Sequence, residues 1–316
     1  MKRVIVLTVL LAAGGLSLVV AGLQGQGQSG QRGQTPSQSK KVPQIEKVRD
    51  NLYWIPGFEP GTPDFNGSNT WAFVMDKGVI IIDTKNPGMG QTILDQLKTV
   101  TDKPVTTILN THTHGDHTGS NEFFGSAVET VVQENTKAYM EKMPNFSADK
   151  AKFLPKKTFK DKMSLFSGKE KIDLYYFGPA HTGGDTWIVF PALRTMASGD
   201  AFGREATPLI DTNNGGSPLH FHETVAKAVA GVKNVDVVLT GHGSRVMKWQ
   251  DLVDHAEFNR IFLEDTQKAF KAGESADQAA AELKMPDKFK GYNMGRLKEN
   301  VGKIYVELQK TTVEPK

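Results

Sequence analysis

The sequence LNTHTHGDHTGSNEFF, residues 109–124, holds three of the chain's eight histidines and an aspartate within six positions. Because an extended chain places alternate side chains on one side, His112 and His114 can reach the same point. The glycine that follows allows a sharp turn, so that Asp116 and His117 can face a second, adjacent point. A polar surface loop with a helix-capping residue is the alternative interpretation. Neutral imidazoles, however, are the groups that metals bind, and the cluster therefore predicts two neighbouring metal sites.

The composition restricts both the metal ligands and the class of partner. The 316 residues include no cysteine, which excludes disulfides, thiolate ligands and cysteine nucleophiles. Any metal must then be held by nitrogen and oxygen. The formal charge of +3 is too small to indicate a nucleic-acid partner. We therefore expect a small-molecule substrate and no nucleic acid, and the sequence leaves the oligomeric state open.

The N-terminal segment has the pattern of an export signal. Lys2 and Arg3 precede an apolar run from about residue 4 to residue 23. We expect residues 1–21 to be a signal peptide, which predicts a periplasmic or extracellular protein. The length of the run also permits an uncleaved membrane anchor. If the leader is removed, we expect no stable membrane insertion.

A flexible linker and one domain are predicted after this segment. Residues 22–43 are rich in Gln, Gly and Ser and bury too little apolar surface to fold. Residues 44–316 alternate short β-rich runs with helical periods, which indicates an α/β layered architecture. Strands are predicted over residues 48–55, 70–75, 79–83, 105–110, 128–132, 172–177, 186–190, 195–197 and 235–239. Helices are predicted over residues 90–100, 134–143, 222–232, 249–272, 276–283 and 294–309.

The pattern H-x-H-x-D-H after a strand resembles the signature of the metallo-β-lactamase superfamily, and that family's other landmarks follow in order. Asp83 ends GVIIIDT, His181 lies in GPAHTGGD, Asp200 in ASGDAF and His242 in LTGHG. Taken alone, each of these four could be a turn or core residue. The resemblance covers roughly residues 83–242. It implies a four-layer αββα sandwich, in which two mixed β-sheets pack face to face with helices outside.

The resemblance also implies a role for each landmark. Asp83 would support the metal-binding loop without ligating. One divalent ion would be held by His112, His114 and His181, and the other by Asp116, His117 and His242, with Asp200 between them. Nitrogen and carboxylate ligands favour zinc over iron or manganese.

Two such ions predict a metal-dependent hydrolase. A metal-bridging hydroxide would attack a carbonyl group, and Asp116 would be the catalytic residue that orients this nucleophile and receives its proton. Export, the small charge and Asp200 favour a lactone, an ester or a cyclic amide of the β-lactam type. The substrate-binding residues are unknown from the sequence. Two alternatives stay open, namely an exported redox or sulfur-handling protein of the same fold and a non-catalytic binding relative.

Some other segments are open to two interpretations. Residues 58–65, FEPGTPDF, could form a flap over the cleft or an ordinary turn. The lysines between residues 150 and 160 could attract an anionic substrate, but a solvated insertion is the simpler interpretation. His220 and His222 are more typical of a loop and a helix start than of the site. His255 is predicted to be structural.

Overall fold

A seven-stranded mixed β-sheet forms one half of the computed structural model, which describes residues 43–313 and the side chains of residues 43–311. Its strands follow chain order: β1 (Glu46–Arg49), β2 (Leu52–Ile55), β3 (Thr70–Val74), β4 (Val79–Ile82), β5 (Val105–Leu109), β6 (Glu129–Gln133) and β7 (Lys157–Phe159). The pairs from β1 to β4 are antiparallel, whereas those from β4 to β7 are parallel. The predicted signal peptide and nearly all of the predicted linker lie outside the described residues.

The second sheet has six strands. They are β8 (Lys162–Leu165), β9 (Ile172–Tyr175), β10 (Trp187–Phe190), β11 (Thr195–Gly199), β12 (Val237–Thr240) and β13 (Met247–Lys248). The spatial order is β13-β12-β11-β10-β9-β8, and only the β11–β12 pair is parallel. Both sheets are therefore mixed.

Helices cover the outer faces of the sheets and extend the C-terminal end of the chain. They are α1 (Gly90–Lys98), α2 (Gly115–Thr118), α3 (Glu134–Met140), α4 (Phe221–Gly231), α5 (Trp249–Lys271), α6 (Ala276–Glu282) and α7 (Leu297–Val313). No helix of the described residues combines the length and apolarity that crossing a membrane would require.

The alternation of side chains in the central strands explains the layers. In β4, Ile80 and Ile82 belong to the core between the sheets, while Val79 and Ile81 face α1. The second sheet shows the same alternation, since Ile188 of β10 packs between the sheets. The neighbouring residues of β10 pack with α4 and α5. Both sheets are thus buried on two faces, and the predicted four-layer αββα sandwich is confirmed.

A separate apolar cluster joins the second half of α5 to α6 and α7. Its buried members include Phe258, Phe262, Val301 and Ile304. Because α7 packs here, its first turn lies close to the loop after β11, where Ala206 forms a bridge with Asn293. The C-terminal helices therefore reach the edge of the sandwich from which the candidate site is built.

Most predicted elements agree with the structure to within a few residues, but the first predicted strand is wrong. Residues 48–55 form parts of β1 and β2, which are separated by a tight turn at Asp50 and Asn51. Asn51 has φ of +58°, a left-handed conformation that asparagine tolerates. The short strands β7, β8 and β13 were not predicted.

Candidate metal centre

Loops at one edge of the two sheets bring seven predicted side chains together. Parallel strands end at the same edge, so the loops after β4 and β5 are neighbours, and so are those after β11 and β12. His112 and His114 follow β5, Asp116 and His117 lie in α2, His181 lies between β9 and β10, Asp200 follows β11 and His242 follows β12. All seven are close enough to fall into overlapping groups of three that could hold metal ions.

Three histidine nitrogens form a triangle on one side of the centre. His181 Nε2 lies 3.1 Å from His112 Nε2 and 3.0 Å from His114 Nδ1. The remaining side, from His112 Nε2 to His114 Nδ1, is also 3.1 Å. The side chains of His112 and His181 are fully buried, whereas His114 borders the open cavity.

A second group lies beside this triangle. His242 Nε2 is 3.3 Å from His117 Nε2 and 3.3 Å from Asp116 Oδ2. The Asp200 carboxylate has oxygens 3.3 Å from His242 Nε2, 3.5 Å from His117 Nε2 and 3.8 Å from His181 Nε2. Asp200 is therefore within reach of both groups.

Hydrogen bonds behind His117 and His181 place the single proton of each neutral ring on the nitrogen that faces away from the centre. His117 Nδ1 is 2.7 Å from Asp83 Oδ2, and His181 Nδ1 is 2.7 Å from the carbonyl oxygen of Leu209. A ring nitrogen that faces an acceptor carries the proton of a neutral imidazole. The Nε2 atoms of both rings thus present lone pairs to the centre.

The rings of His112 and His114 are oriented in the same way. His114 Nε2 donates to Asp211 Oδ2 over 2.7 Å, which leaves Nδ1 facing inward. The Thr111 hydroxyl donates to Asp83, so it accepts from His112 Nδ1 at 3.0 Å. Lone pairs that face one another at about 3 Å repel unless a cation lies between them.

The Asp200 carboxylate gives a second sign that these residues fit metal ions. Its Oδ1 atom is buried and has no hydrogen-bond partner among the described residues. A buried carboxylate oxygen without a donor is costly, and coordination to a cation removes that cost. Imidazole nitrogens and carboxylate oxygens are ligands that zinc accepts without cysteine.

The electrostatics of the centre also favour added positive charge. Burial lowers the pKa of His181 to about 4, and it lowers the pKa of His112 well below the usual value. Burial would also lower the pKa of His242, but Asp200 and Asp116 outweigh it and raise that pKa to about 10. In Asp116 the neighbouring His117 and His242 overcome the effect of burial and lower the pKa to about 2. The carboxylates thus stay ionised and draw positive charge towards them.

Asp83 supports the loop that carries His112, His114 and His117 from behind. Its carboxylate accepts hydrogen bonds from the backbone N–H of Thr111 at 2.9 Å, from the Thr111 hydroxyl at 2.8 Å and from His117. Asp83 itself has φ of +59° and is buried. Such a conformation is costly for a residue with a side chain and persists only where surrounding contacts hold it. These three bonds provide that hold.

Asp211 is a residue of the centre that the sequence did not reveal. Besides binding His114, it donates its backbone N–H to the carbonyl oxygen of His181 at 2.8 Å. Its carboxylate also accepts from the backbone N–H groups of Asn213 and Asn214. The sequence DTNNG carries a recognisable turn signal, but this signal does not identify the histidine that the aspartate contacts.

A cavity of about 330 Å³ opens beside the centre and is lined by His114, Asp116, Asp200 and His242. Its other walls include apolar side chains and two arginines: Pro60, Phe65, Ala206, Pro208, Leu209, Arg204 and Arg296. A pocket of this size suits a small molecule.

Residues 58–65, which could form a flap or an ordinary turn, border this cavity. Pro60 and Phe65 line it, and the Phe65 ring lies 5.8 Å from the His242 ring. Glu59 accepts a hydrogen bond from Arg204 over 3.0 Å, which ties residues 58–65 to the opposite loop. The segment is therefore part of the cavity wall.

Other histidines and the lysine-rich segment occupy different positions. His255 is buried and stacks on Phe202 with 4.6 Å between ring centroids, yet it also touches the cavity. His220 binds Ser217 instead, and His222 is likewise absent from the cavity lining. Lys150 forms an exposed ion pair with Glu122, as expected for a solvated insertion.

Comparison with known proteins identifies relatives of the chain. A family model described as the metallo-beta-lactamase superfamily matches residues 63–257. Metallo-beta-lactamase type 2 of Elizabethkingia meningoseptica is 29% identical over 157 residues, which are 49% of this chain and 60% of that protein. The 2,4-dinitroanisole O-demethylase subunit alpha of Nocardioides sp. (strain JS1661) is 29% identical over 133 residues, 42% of this chain and 40% of that protein. The alignments thus cover less than two thirds of either relative.

Solved structures share the fold at low sequence identity. A metallo-beta-lactamase from Pontibacter korlensis has a TM-score of 0.59 and 18% identity, with 69% of this chain and 98% of that chain covered. The sec-alkylsulfatase Pisa1 from Pseudomonas sp. has a TM-score of 0.68 and 15% identity, with 87% of this chain and 52% of that chain covered. The second match covers more of this chain than the first.

Proposed function

The chain belongs to the metallo-beta-lactamase superfamily, and from this premise we propose that it is a hydrolase that uses two divalent metal ions, with zinc as the first candidate. The observation that carries the proposal is the set of inward-facing imidazole nitrogens around a buried oxygen of Asp200 that has no hydrogen-bond partner among the described residues. An arrangement of this kind is costly without cations and suits them well.

Each ion has its own set of ligands in this proposal. His112, His114 and His181 would hold one ion and Asp116, His117 and His242 the other, and Asp200 lies within reach of both groups. Asp83 and Asp211 hold the rings of His117 and His114 in the orientation that binding needs. Partners of this kind commonly contribute ten- to hundredfold to metal affinity.

The two ions would supply Lewis acidity, which lowers the pKa of water and polarises a carbonyl oxygen. Asp116 borders the cavity, and its low pKa keeps it ionised at neutral pH. In this form it can accept a hydrogen bond from a water molecule and orient it towards a substrate carbonyl, and uptake of the water proton is its second proposed role. The apolar side chains of Phe65 and Leu209 exclude further water from that part of the cavity.

The proposed substrate is a small lactone, an ester or a cyclic amide of the β-lactam type. The cavity volume supports a small molecule, and the name of one relative supports a cyclic amide. The names of other similar proteins add an aryl methyl ether and a secondary alkyl sulfate as test compounds. We place the reaction in the periplasm or outside the cell, on the strength of the sequence of residues 1–21 alone.

A metal analysis followed by a substrate panel tests this function. We expect about two zinc ions per chain and hydrolysis of a chromogenic lactone, ester or cephalosporin that stops after chelation and returns with zinc. His112→Ala should lose metal, whereas Asp116→Asn should keep most of its metal and lose turnover. Iron with redox or sulfur turnover would support the alternative of a redox protein. Full metal without turnover of any compound would support a non-catalytic relative.

A further inference from the structure

The cavity beside the metal centre is completed by a residue outside the part of the chain that the family model matches. Arg296 lies directly before α7, well beyond residue 257. It nevertheless lines the same cavity as Asp116 and His242. The C-terminal helices therefore supply a charged group to a site whose metal ligands all come from the preceding sandwich.

The backbone around Arg296 is anchored to the loop that forms the cavity wall. The backbone N–H of Arg296 donates to the Thr207 hydroxyl over 3.0 Å. The N–H of Thr207 donates to the carbonyl oxygen of Asn293 over 2.8 Å, and that of Asn293 donates to Glu205 over 3.1 Å. These bonds fix the position of Arg296 without using its guanidinium group. A group that is positioned in advance loses less freedom when it binds a ligand.

The two arginines of the cavity differ in their ionic partners. The Arg204 guanidinium donates to Glu59 at 3.0 Å. For Arg296, the nearest carboxylate oxygen among the described residues belongs to Glu299 and lies 4.0 Å from Nε. The side chain of Arg296 is 35% exposed, so it is partly open to solvent. Arg296 therefore keeps donor groups available for a ligand.

When two divalent ions are bound, the carboxylates of the centre do not balance the charge of Arg296. The four carboxylates of the centre, from Asp83, Asp116, Asp200 and Asp211, carry as much negative charge as two divalent ions carry positive charge. Glu59 balances Arg204. The guanidinium of Arg296 is then a positive charge that none of these carboxylates balances, and a positive charge beside a cavity attracts anions.

We propose that Arg296 is a specificity-determining residue that binds a carboxylate of the substrate, while the bond to be hydrolysed lies at the metal centre. This inference rests on the proposed function and narrows its substrate to a small ester or lactone that carries a carboxylate on an apolar body. A guanidinium group binds a carboxylate through two parallel hydrogen bonds. The apolar body would pack against Phe65, Pro208 and Leu209, which line the same cavity.

A pair of chromogenic esters of matched length separates this role from a general effect on catalysis. 4-Nitrophenyl hemiglutarate carries a carboxylate, and 4-nitrophenyl valerate does not. For Arg296→Met we expect KM for the hemiglutarate to rise roughly ten- to hundredfold, the loss expected for a charged hydrogen bond. KM for the valerate should stay within about twofold. Arg296→Lys keeps the charge but not the two parallel hydrogen bonds. Its KM for the hemiglutarate should lie between that of the wild type and that of Arg296→Met.

Arg260→Met is the matched control, because Arg260 lies on α5 in an exposed pair with Glu264 and does not line the cavity. We expect it to leave both KM values unchanged. An equal loss on both esters in Arg296→Met, or no loss on either, would overturn the proposal. Equal zinc content and equal thermal unfolding across the variants would show that the change is local.

Binding measured by calorimetry tests Arg296 even if the protein hydrolyses neither ester. 3-Phenylpropionate and its uncharged amide are titrated into the protein as purified. The wild type should bind the carboxylate more tightly than the amide, and Arg296→Met should lose this preference while Arg260→Met keeps it. A preference that survives in Arg296→Met would place the carboxylate at the metal ions instead and end the proposal. Success of this titration when the esters and the whole substrate panel fail would reject the hydrolase and retain the anion site.

Discussion

Asp211 binds His114 across 97 positions of sequence, with 2.7 Å between the carboxylate oxygen and Nε2 of the ring. This bond decides which nitrogen of His114 faces the centre. His114 presents Nδ1, whereas His112 and His181 present Nε2. The triangle of nitrogens thus depends on a carboxylate that lies on a loop far along the chain.

Replacement of Asp211 should weaken metal binding without removing a ligand. In Asp211→Ala, His114 can adopt the other tautomer or turn away, so we expect metal affinity to fall about ten- to hundredfold. Competition with a chromogenic chelator measures this affinity. Asp149→Ala, a change at an exposed position that does not line the cavity, is the control. Unchanged affinity in Asp211→Ala would show that the bond does not orient the ring.

Replacement of Asp83 should reduce stability as well as metal binding. The carboxylate is buried and accepts three hydrogen bonds, so Asp83→Ala leaves Thr111 and His117 without their partner. We expect the free energy of unfolding to drop by about 3–5 kcal/mol, as for other buried pairs that lose one member. Denaturant unfolding of the metal-free protein measures it. The exposed Asp76 provides a control, since Asp76→Ala should change stability by less than about 0.5 kcal/mol. A loss that small at Asp83 as well would contradict its supporting role.

The buried His255 should make the folded state sensitive to acid. Burial lowers the pKa of His255 to about 3, whereas an unfolded chain has a histidine pKa of about 6.5. Between pH 6.5 and 3, His255 therefore binds a proton in the unfolded state but not in the folded state. We expect this group to cost up to about 1.4 kcal/mol of stability per pH unit between pH 6.5 and 3.

Unfolding of wild type and His255→Leu across that pH range isolates this effect. The variant should have a lower stability at pH 7, because it loses the ring contact with Phe202, but a shallower loss on acidification. His220→Leu, at an exposed position, should keep the slope of the wild type. Parallel curves for wild type and His255→Leu would mean that His255 titrates normally in the folded state.

The helix α7 should influence the metal centre through the loop that it holds. Asn300 is buried and donates to the carbonyl oxygen of Pro208 over 2.9 Å, next to Leu209, whose own carbonyl orients His181. Asn300→Ala should lower the free energy of unfolding by about 1–3 kcal/mol. It should also lower metal affinity severalfold, although Asn300 contacts no ligand. The exposed Lys298 serves as the control, since Lys298→Ala should affect neither quantity. A loss of stability with unchanged metal affinity would show that α7 does not influence the metal centre through this loop.

The sequence predicted the features that depend on neighbouring residues. The apolar run of β4 is buried on both faces and has the composition of a central strand, so its position could be predicted. The cluster from His112 to His117 is local as well, and its spacing was enough to predict that these side chains share a centre. The resemblance to a known family supplied the distant His181, Asp200 and His242, which the structure brings to the same place.

Features that depend on distant contacts could not be predicted. The strands β7 and β8 are short and contain lysines, and only their pairing with β6 and β9 makes them strands. The contact between Asp211 and His114 and the entry of Arg296 into the cavity both arise from packing of segments far apart in sequence. No local pattern marks them. His255 shows a related limit, because it was predicted to be structural and its contact with the cavity was not predicted.

The hydrogen bonds between α7 and the loop at Pro208 also have a consequence for when the protein can bind metal during its biosynthesis. The histidines near residue 112 are translated long before Asn300 and Lys303, which hold the carbonyl groups of Pro208 and Ile210. A nascent chain that lacks α7 would already contain the candidate ligand side chains. The loop behind His114 and His181, however, would not yet be held in place by Asn300 and Lys303. Metal binding should therefore follow translation of α7. Chains that end before α7 should contain less metal than the full-length protein.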